Sequence, residues 1–228
     1  MVVNDRWGSD NPPIESGHHF GGYFSGSDRQ KANPTLLAHK WESAFTLDAH
    51  NWGYARNDDI SAYLDFSTIM RNVVSTVAYG GNCLINVGPT ADGRIPTIFQ
   101  DRLTRLGAWL SVNGAAIYAT QKWRVHNETA ACGPGCDVYY TAAKVPTPSA
   151  LVPAVYAITL GWPTDNRVRL GGATPMANTT VQMLGCSKTM TWHPLANKTG
   201  MEIVIPPLAP PELPTVEGPW VFKLSYVL

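Results

Sequence analysis

Asp5 and Arg6 stand in "VVNDRWG", directly after two β-branched residues and directly before a tryptophan and a glycine. An acid in that position has two readings. It caps or ion-pairs at a surface, or it forms a reaction centre at the mouth of an α/β barrel, whose active sites lie at the C-terminal ends of the strands. Further acidic positions follow strands or open loops: Glu42 in "KWES" and the pair Asp58 and Asp59 in "YARNDD". Paired carboxylates about 5 to 5.5 Å apart across a sugar bond make a retaining glycosidase, one acting as nucleophile and the other as acid/base. Trp7, Trp41, Trp52 and Tyr54 interleave with these acids, and their faces suit the C–H-rich face of a sugar ring. Each has a plainer reading too: Asp5 pairing with Arg6, Asp58 capping a turn, the tryptophans packing in a core.

The elements that would position these groups are legible in outline. Residues 9–40 are rich in Gly, Ser, Pro and His and read as loop, and loops that long in compact domains are usually functional. "HKWESAFTL" (39–47) reads as a strand, followed by the polar connection "DAHNWGYARNDDISAYL". From Asp65, a fitting N-cap, the pattern turns helical: Phe66, Ile69, Met70, Val73, Val74 and Val77 recur at three- and four-residue spacing until Gly80 and Gly81 end the run. "NCLINVGP" is a short apolar strand, and Pro96 opens a second helix with Phe99, Leu103, Leu106 and Leu110 on one stripe and Asn113-Gly114 at its end. This order indicates an α/β barrel or a doubly wound sheet. After about residue 120 short alternating runs ("VYAITLGW", "TTVQMLG", "MEIVIPP", "WVFKLSYVL") are separated by Pro- and Gly-rich turns, the pattern of an antiparallel β-sandwich. The Pro-rich "PPLAPPELP" (206–214) reads as a stiff link between two of its strands.

Composition narrows the function classes. The 228 residues suffice for one large or two modest domains with a sizeable core. Charged residues are 15%, against a usual value of about 25%, and 44% are hydrophobic. Seventeen Lys and Arg balance seventeen Asp and Glu, so there is no basic field for nucleic acid or anionic lipid. No apolar run approaches the roughly 18 residues of a membrane span, and the first residues lack the pattern of a signal peptide. "MVV" reads as a buried-strand fragment, and a lone parallel strand needs neighbours, so further sequence upstream is expected. Cys132 and Cys136 in "CGPGC" could be bridged by the Gly-Pro-Gly turn or remain free; no nearby histidines complete a zinc set. Adjacent His18 and His19 point different ways and lack a third metal ligand, and His39 and His50 read as structural. Sequons at Asn127, Asn178 and Asn197, expected in surface loops, tilt the reading towards a secretory or lysosomal route.

"VVNDRWG", "HHFGGY", "HKWE", "WGYARND", "GGNCLINVGPTADGRIP" and "RLGAWLSVNGAAIYAT" occur in the order and approximate spacing of the C-terminal half of α-L-fucosidases of the retaining, family 29 type. The resemblance is strong over residues 2–123 and weaker to the end. It implies the C-terminal part of a (β/α)8-like barrel (1–120) followed by an antiparallel β-sandwich (121–228). It implies Asp5 as nucleophile and, through "GYARN", Asp58 as acid/base, where many bacterial members carry a glutamate. Losing one methylene withdraws a carboxyl by roughly 1.5 Å, and misplacement by about 1 Å can cost about a hundredfold in rate; Asp59 is therefore the first alternative and Glu42 a weaker one. Arg6, Trp7, His19, Glu42, Trp52 and Tyr54 are the implied substrate contacts, with Arg6 or nearby donors keeping Asp5 ionised. The implied activity is release of terminal α-L-fucose by double displacement, without cofactor or metal, from fucosylated glycans or glycoproteins, in a secreted or lysosomal protein with no nucleic-acid or membrane partner and room for a homo-oligomer. The β module is implied to pack against the barrel, with Trp162 and Trp192 as core or as sugar contacts. A non-catalytic glycan-binding relative and a purely structural adhesion module are the other classes.

Overall fold

The structure, a computed structural model, describes residues 3–6, 21–25, 27–29, 31, 39–129, 131–144, 154–196 and 199–228. Trp7, His18, His19 and Asn197 lie outside the described residues. The chain forms two compact units that part between Leu106 and Gly107.

In the first unit, strand β1 (Glu42–Thr46), helix α1 (Phe66–Ala78) and strand β2 (Asn82–Asn86) make a βαβ unit, with β1 and β2 parallel from Glu42 opposite Asn82 to Thr46 opposite Asn86. Two single parallel bridges, Asn4 with Tyr23 and Phe24 with Trp41, extend this pair. They are secured by Gly22 N–H to Val3 O (2.7 Å) and Glu42 N–H to Phe24 O (2.7 Å). Residues 3–5, 23–25, β1 and β2 therefore lie side by side in chain order, all running the same way.

Helix α1 begins and ends as its sequence requires. Asp65 Oδ1 accepts from Thr68 N–H (2.7 Å). At the other end Gly80, with φ of 79°, and Gly81 donate to the carbonyls of Val77 and Thr76 (both 2.9 Å), the paired bonds of a Schellman motif. Ile69 and Val73 pack with Phe45, Leu47 and Phe99 into one core, while Val77 is half-buried. Helix α2 (Thr97–Asn113) departs from the expected stripe. Leu103 is exposed and Leu110 only half-buried, whereas Phe99, Leu106 and Trp109 are buried. The inner face instead runs through Phe99, Arg102, Leu106 and Trp109: the side chain of Arg102 is only 15% exposed and its guanidinium donates to Leu64 O (3.0 Å), and the indole of Trp109 donates to Pro219 O (2.6 Å). A hydrophobicity count passes over an arginine that belongs to the buried face.

Apart from the end of α2 and two 3-10 turns, at Gly114–Ala116 and Pro210–Glu212, the regular structure of the second unit is all β. Its strands are β3 (Thr120–Glu128), β4 (Val138–Ala143), β5 (Val155–Thr159), β6 (Arg167–Leu170), β7 (Pro175–Met183), β8 (Thr191–Pro194), β9 (Met201–Val204) and β10 (Trp220–Val227). They form a five-stranded sheet in the order β3-β4-β5-β10-β7 and a three-stranded sheet β6-β9-β8, all antiparallel. Val155, Ala157, Phe222 and Leu224 of one sheet share a core with Val168, Leu170, Met201 and Ile203 of the other, the arrangement that fits a β-sandwich. The four alternating runs seen in the sequence correspond to β5, β7, β9 and β10. β3, β4, β6 and β8 escape that reading; β6, with Arg167 and Arg169 on its outer side, is short, and both arginines pair with Glu202.

Cys132 and Cys136 form a disulfide with Cα atoms 5.4 Å apart; Cys83 and Cys186 are free thiols. Asn127 lies in β3 and Asn178 in β7, not in loops as the sequons suggest; both strands are sheet edges. Trp162 and Trp192 are half-buried against the core, with indole N–H groups donating to Asn166 Oδ1 (3.2 Å) and Thr179 O (3.0 Å). The Pro-rich segment does link two strands, β9 and β10, through a 3-10 turn at Pro210–Glu212 braced by Lys188, whose ammonium meets Glu212 and Pro207 O (2.8 Å each).

Candidate active site

Because the four parallel segments run the same way, their C-terminal ends lie along one edge, the side on which parallel α/β proteins place ligands. Asp5 follows the bridge residue Asn4, and Ser25 follows the bridge residue Phe24. Asp48 stands just past the end of β1, and residues 87 and 88 just past β2.

Asp5 is 4% exposed. Its Oδ1 accepts both the N–H (2.8 Å) and the hydroxyl (3.2 Å) of Ser25. Arg6 is turned to Asp28 (2.6 Å) and reaches Ser25 O (3.4 Å). Of the two stabilisers expected for Asp5, the neighbouring donor is therefore Ser25, while the guanidinium serves Asp28; successive side chains of an extended segment face opposite ways. Arg29, next in the chain, has a left-handed backbone (φ 55°) that lets its N–H reach Ala44 O (2.8 Å). Its guanidinium lies 5.7 Å from the centre of the Trp52 ring and 3.5 Å from Asp48 O.

Asp48 is 1% exposed. Its Oδ1 accepts from the N–H groups of His50 (2.7 Å) and Asn51 (2.8 Å). Burial pushes its pKa up, but the N–H groups of Asn51 and His50, the Asn51 amide and a hydrogen bond with the Asp58 side chain outweigh that and hold it below the ordinary carboxylate value. The Asn51 amide also donates to Asp58 Oδ2 (2.8 Å) and stands 3.4 Å from Asp48 Oδ2, so one side chain joins two carboxylates. The Tyr63 phenol lies in their field: burial first, then the charges of Asp48, Asp58 and Tyr54, raise its pKa.

Asp59 is engaged elsewhere. Its Oδ1 accepts from the Ser61 hydroxyl (2.6 Å) and N–H (2.8 Å), capping a 3-10 turn at Ile60–Ala62, and the hydroxyl, then the N–H, lower its pKa. Glu42 is apart from the others. It begins β1, at the end opposite Asp48, with the length of the strand, four rises or about 13 Å, between it and Thr46, and its carboxylate accepts from Asn82 Nδ2 (2.6 Å). Trp52 and Tyr54 are exposed, at 36% and 38%, on the loop after β1. That loop is tied to β2 by Asn86, whose amide donates to Trp52 O (2.7 Å) and Thr46 Oγ1 (3.1 Å). Gly88 permits the approach, since a Cβ there would lie 2.4 Å from Tyr54 N. His39 stacks on Phe24 at 3.9 Å.

Ser25, Asp48, Asn51 and Asn86 are thus site residues that sequence reasoning passed over. Asp48 was findable, because in "FTLDAHN" it follows a strand just as Asp5 does. Ser25 and the two asparagines carry no local signal. Among the described residues no three His, Cys, Asp or Glu side chains are grouped to hold a metal ion, and no helix is long and apolar enough to cross a membrane.

Comparison with known proteins gives concordant results along the chain. Residues 1–115 match the family Alpha-L-fucosidase and residues 135–225 the Alpha-L-fucosidase C-terminal domain. The whole chain is 41% identical over 227 residues to the tissue alpha-L-fucosidase of Bos taurus, covering 44% of it. It is 39% identical over 229 residues to an alpha-L-fucosidase of Branchiostoma floridae, covering 46%. The chain spans about half the length of the curated relatives it matches. Among solved structures, a Thermotoga maritima alpha-L-fucosynthase in complex with alpha-L-Fuc-(1-2)-beta-L-Fuc-N3 superposes with a TM-score of 0.73 at 26% identity, over 98% of this chain and 44% of that one. A Bacteroides thetaiotaomicron alpha-L-fucosidase, trapped as a covalent intermediate with 2-fluoro-fucosyl fluoride, shares the fold with a TM-score of 0.75 at 23% identity, over 99% of this chain and 48% of that one.

Proposed function

The chain belongs to the α-L-fucosidase family, and from that premise we propose that the protein releases terminal α-L-fucose from glycans and glycoproteins with retention of configuration. The observation that carries this reading is the buried carboxylate of Asp5 at the C-terminal edge of parallel strands, with two Ser25 donors on a single oxygen. Those donors fix the carboxylate's direction, which is what a nucleophile needs for an in-line approach. The four adjacent parallel segments in chain order, with α1 crossing between β1 and β2, support their being consecutive strands of a (β/α)8-like barrel.

In the proposed mechanism a carboxylate oxygen of Asp5 attacks the anomeric carbon of fucose while an acid protonates the departing glycosidic oxygen. A fucosyl ester of Asp5 forms. Water, deprotonated by the same acid/base, then cleaves the ester and returns the proton to that group. The acid/base belongs to the Asp48–Asn51–Asp58 array. Asp58 is the member on the loop with Trp52 and Tyr54, and its Oδ2 accepts from the Asn51 amide. A second reading assigns the role to Asp48, favoured by its burial and its place at a strand end like that of Asp5. Against Asp48 stand the N–H donors that favour its charged form. Exposed Trp52 and Tyr54 supply the faces for the sugar, with Arg29 steadying Trp52. The Cys132–Cys136 disulfide supports a secreted or lysosomal location.

Trapping the active protein with a 2-fluorofucosyl inactivator and mapping the peptides tests the central assignment. The label is expected on Asp5; a label elsewhere, or an active enzyme that takes none, overturns it. Asp58→Asn and Asp48→Asn then separate the acid/base readings. The variant lacking the acid/base loses about 10²- to 10⁴-fold on natural glycans, keeps more activity on aryl fucosides, and is rescued by azide to the fucosyl azide of retained configuration.

A further inference from the structure

Two of the Asn-x-Thr sequons fall on described residues, and the structure presents them differently. Asn127 is half-buried in β3, in register with Tyr139 of β4. Asn178 lies where β7 leaves its neighbour. Ser225 of β10 pairs with Thr180 and Val227 with Pro175, so two steps along β10 are matched by five along β7, and residues 176–179 bulge from the ladder. Thr179 pins this bulge from within. Its side chain is buried, and its hydroxyl accepts from Met176 N–H (2.7 Å) and donates to Tyr226 O (2.6 Å). Met176, Ala177 and Asn178 consequently face solvent, as does Thr180, the hydroxyl residue two positions after the asparagine. An independent observation points the same way: the unit contains the Cys132–Cys136 disulfide, and disulfides persist in the oxidising compartments through which N-glycosylated proteins pass.

We propose that Asn178 carries an N-linked oligosaccharide that covers the open edge of β7. In the modifying step the Asn178 amide nitrogen displaces the diphosphate at C1 of a lipid-diphosphate-linked oligosaccharide. The C1–N bond forms, the C1–O bond breaks, one amide proton is released and the lipid diphosphate leaves. Among the described residues the edge concerned has a strand partner on one side only. On the other side the Thr179 carbonyl takes the indole N–H of Trp192, while exposed Met176 and Tyr226 (39% each) flank the bulge. An unprotected edge invites a further strand, and a bulky hydrophilic group at Asn178 excludes one.

The protein is expressed through a eukaryotic secretory pathway and treated with a peptide N-glycosidase in ¹⁸O-water. Conversion of residue 178 to ¹⁸O-labelled aspartate is expected, and both Asn178→Gln and Thr180→Ala should migrate one glycan faster than the parent on a denaturing gel. An unlabelled Asn178, or unchanged migration of both variants, overturns the modification; Thr180→Ala leaves the asparagine in place, and the denaturing readout does not depend on folding. Both variants should also elute as larger species on gel filtration. Elution of both at the parental position overturns the edge-covering role.

Discussion

Ser25 holds Asp5 through two donors aimed at a single oxygen, with its N–H at 2.8 Å and its hydroxyl at 3.2 Å from Oδ1. The backbone donor survives substitution and the hydroxyl does not. A hydrogen bond to a charged group contributes about 1.5–3 kcal/mol, so Ser25→Ala should lower kcat/KM for fucoside hydrolysis roughly 10- to 100-fold without unfolding the protein. Steady-state kinetics and a thermal melt check both halves, and unchanged kinetics would remove Ser25 from the machinery.

The Asn51 amide touches both candidate acids, so Asn51→Leu, close in shape but without side-chain donors, should displace Asp58 while Asp48 keeps its two backbone donors. Misplacement by about 1 Å costs about a hundredfold. The expected result is a kcat loss of that order on natural glycans, a smaller loss on aryl fucosides with good leaving groups, and little change in KM. Equal losses on both substrates would show that Asn51 does not act through the proton donor.

Acid should weaken the first unit through Asp48 and Asp65. The carboxylate of Asp48 is held below its ordinary pKa by the donors already described, and that of Asp65 by the Thr68 hydroxyl and N–H first and by Ser67 and Arg102 after them. Since folding lowers both values, their stabilisation is complete above about pH 4 and disappears as the pH falls through the depressed folded values. Asp48→Asn and Asp65→Asn should each flatten the acid limb of a stability-versus-pH curve. Asp65→Ala should in addition cost about 1 kcal/mol at neutral pH, as the lost N-cap.

In the β unit, Glu128 accepts from the Tyr140 hydroxyl (2.6 Å) and from the N–H groups of Gly171 and Gly172 (2.7 Å each). Glu128→Ala removes the partner of three donors, one on fully buried Tyr140, one on half-buried Gly172 and one on exposed Gly171, and should destabilise the unit by about 3 kcal/mol. Tyr140→Phe removes one bond and should cost about 1 kcal/mol. Denaturant titration orders the two, and a smaller loss for Glu128→Ala would contradict the network's role.

Cys83 should be inert. Burial first, and the charge of Glu42 second, push its thiol pKa up to about 12. At pH 8 almost none is thiolate, the reactive form, so iodoacetamide should modify native protein at Cys83 far more slowly than a free thiol. Rapid labelling in a mass-spectrometric time course would count against this placement.

What the sequence determined unaided was local. Asp65, Gly80 and Gly81 bound α1 because capping is a matter of neighbouring backbone groups, and the short runs of β5, β7, β9 and β10, set between Pro- and Gly-rich turns and without a helical period, announced an antiparallel module. The candidate nucleophile was legible for the same reason, an acid at the end of a short β-branched run. Tertiary structure decided what depends on residues far apart in the chain. It gave Asp5 to Ser25 and Arg6 to Asp28, it put Glu42 at the wrong end of β1, and it set Asp59 to capping a turn. It also put Arg102 rather than Leu103 on the buried face of α2. A carboxylate's chemistry is set by the donors that surround it and by its distance from water, and those are fixed only when separate segments of chain are laid side by side.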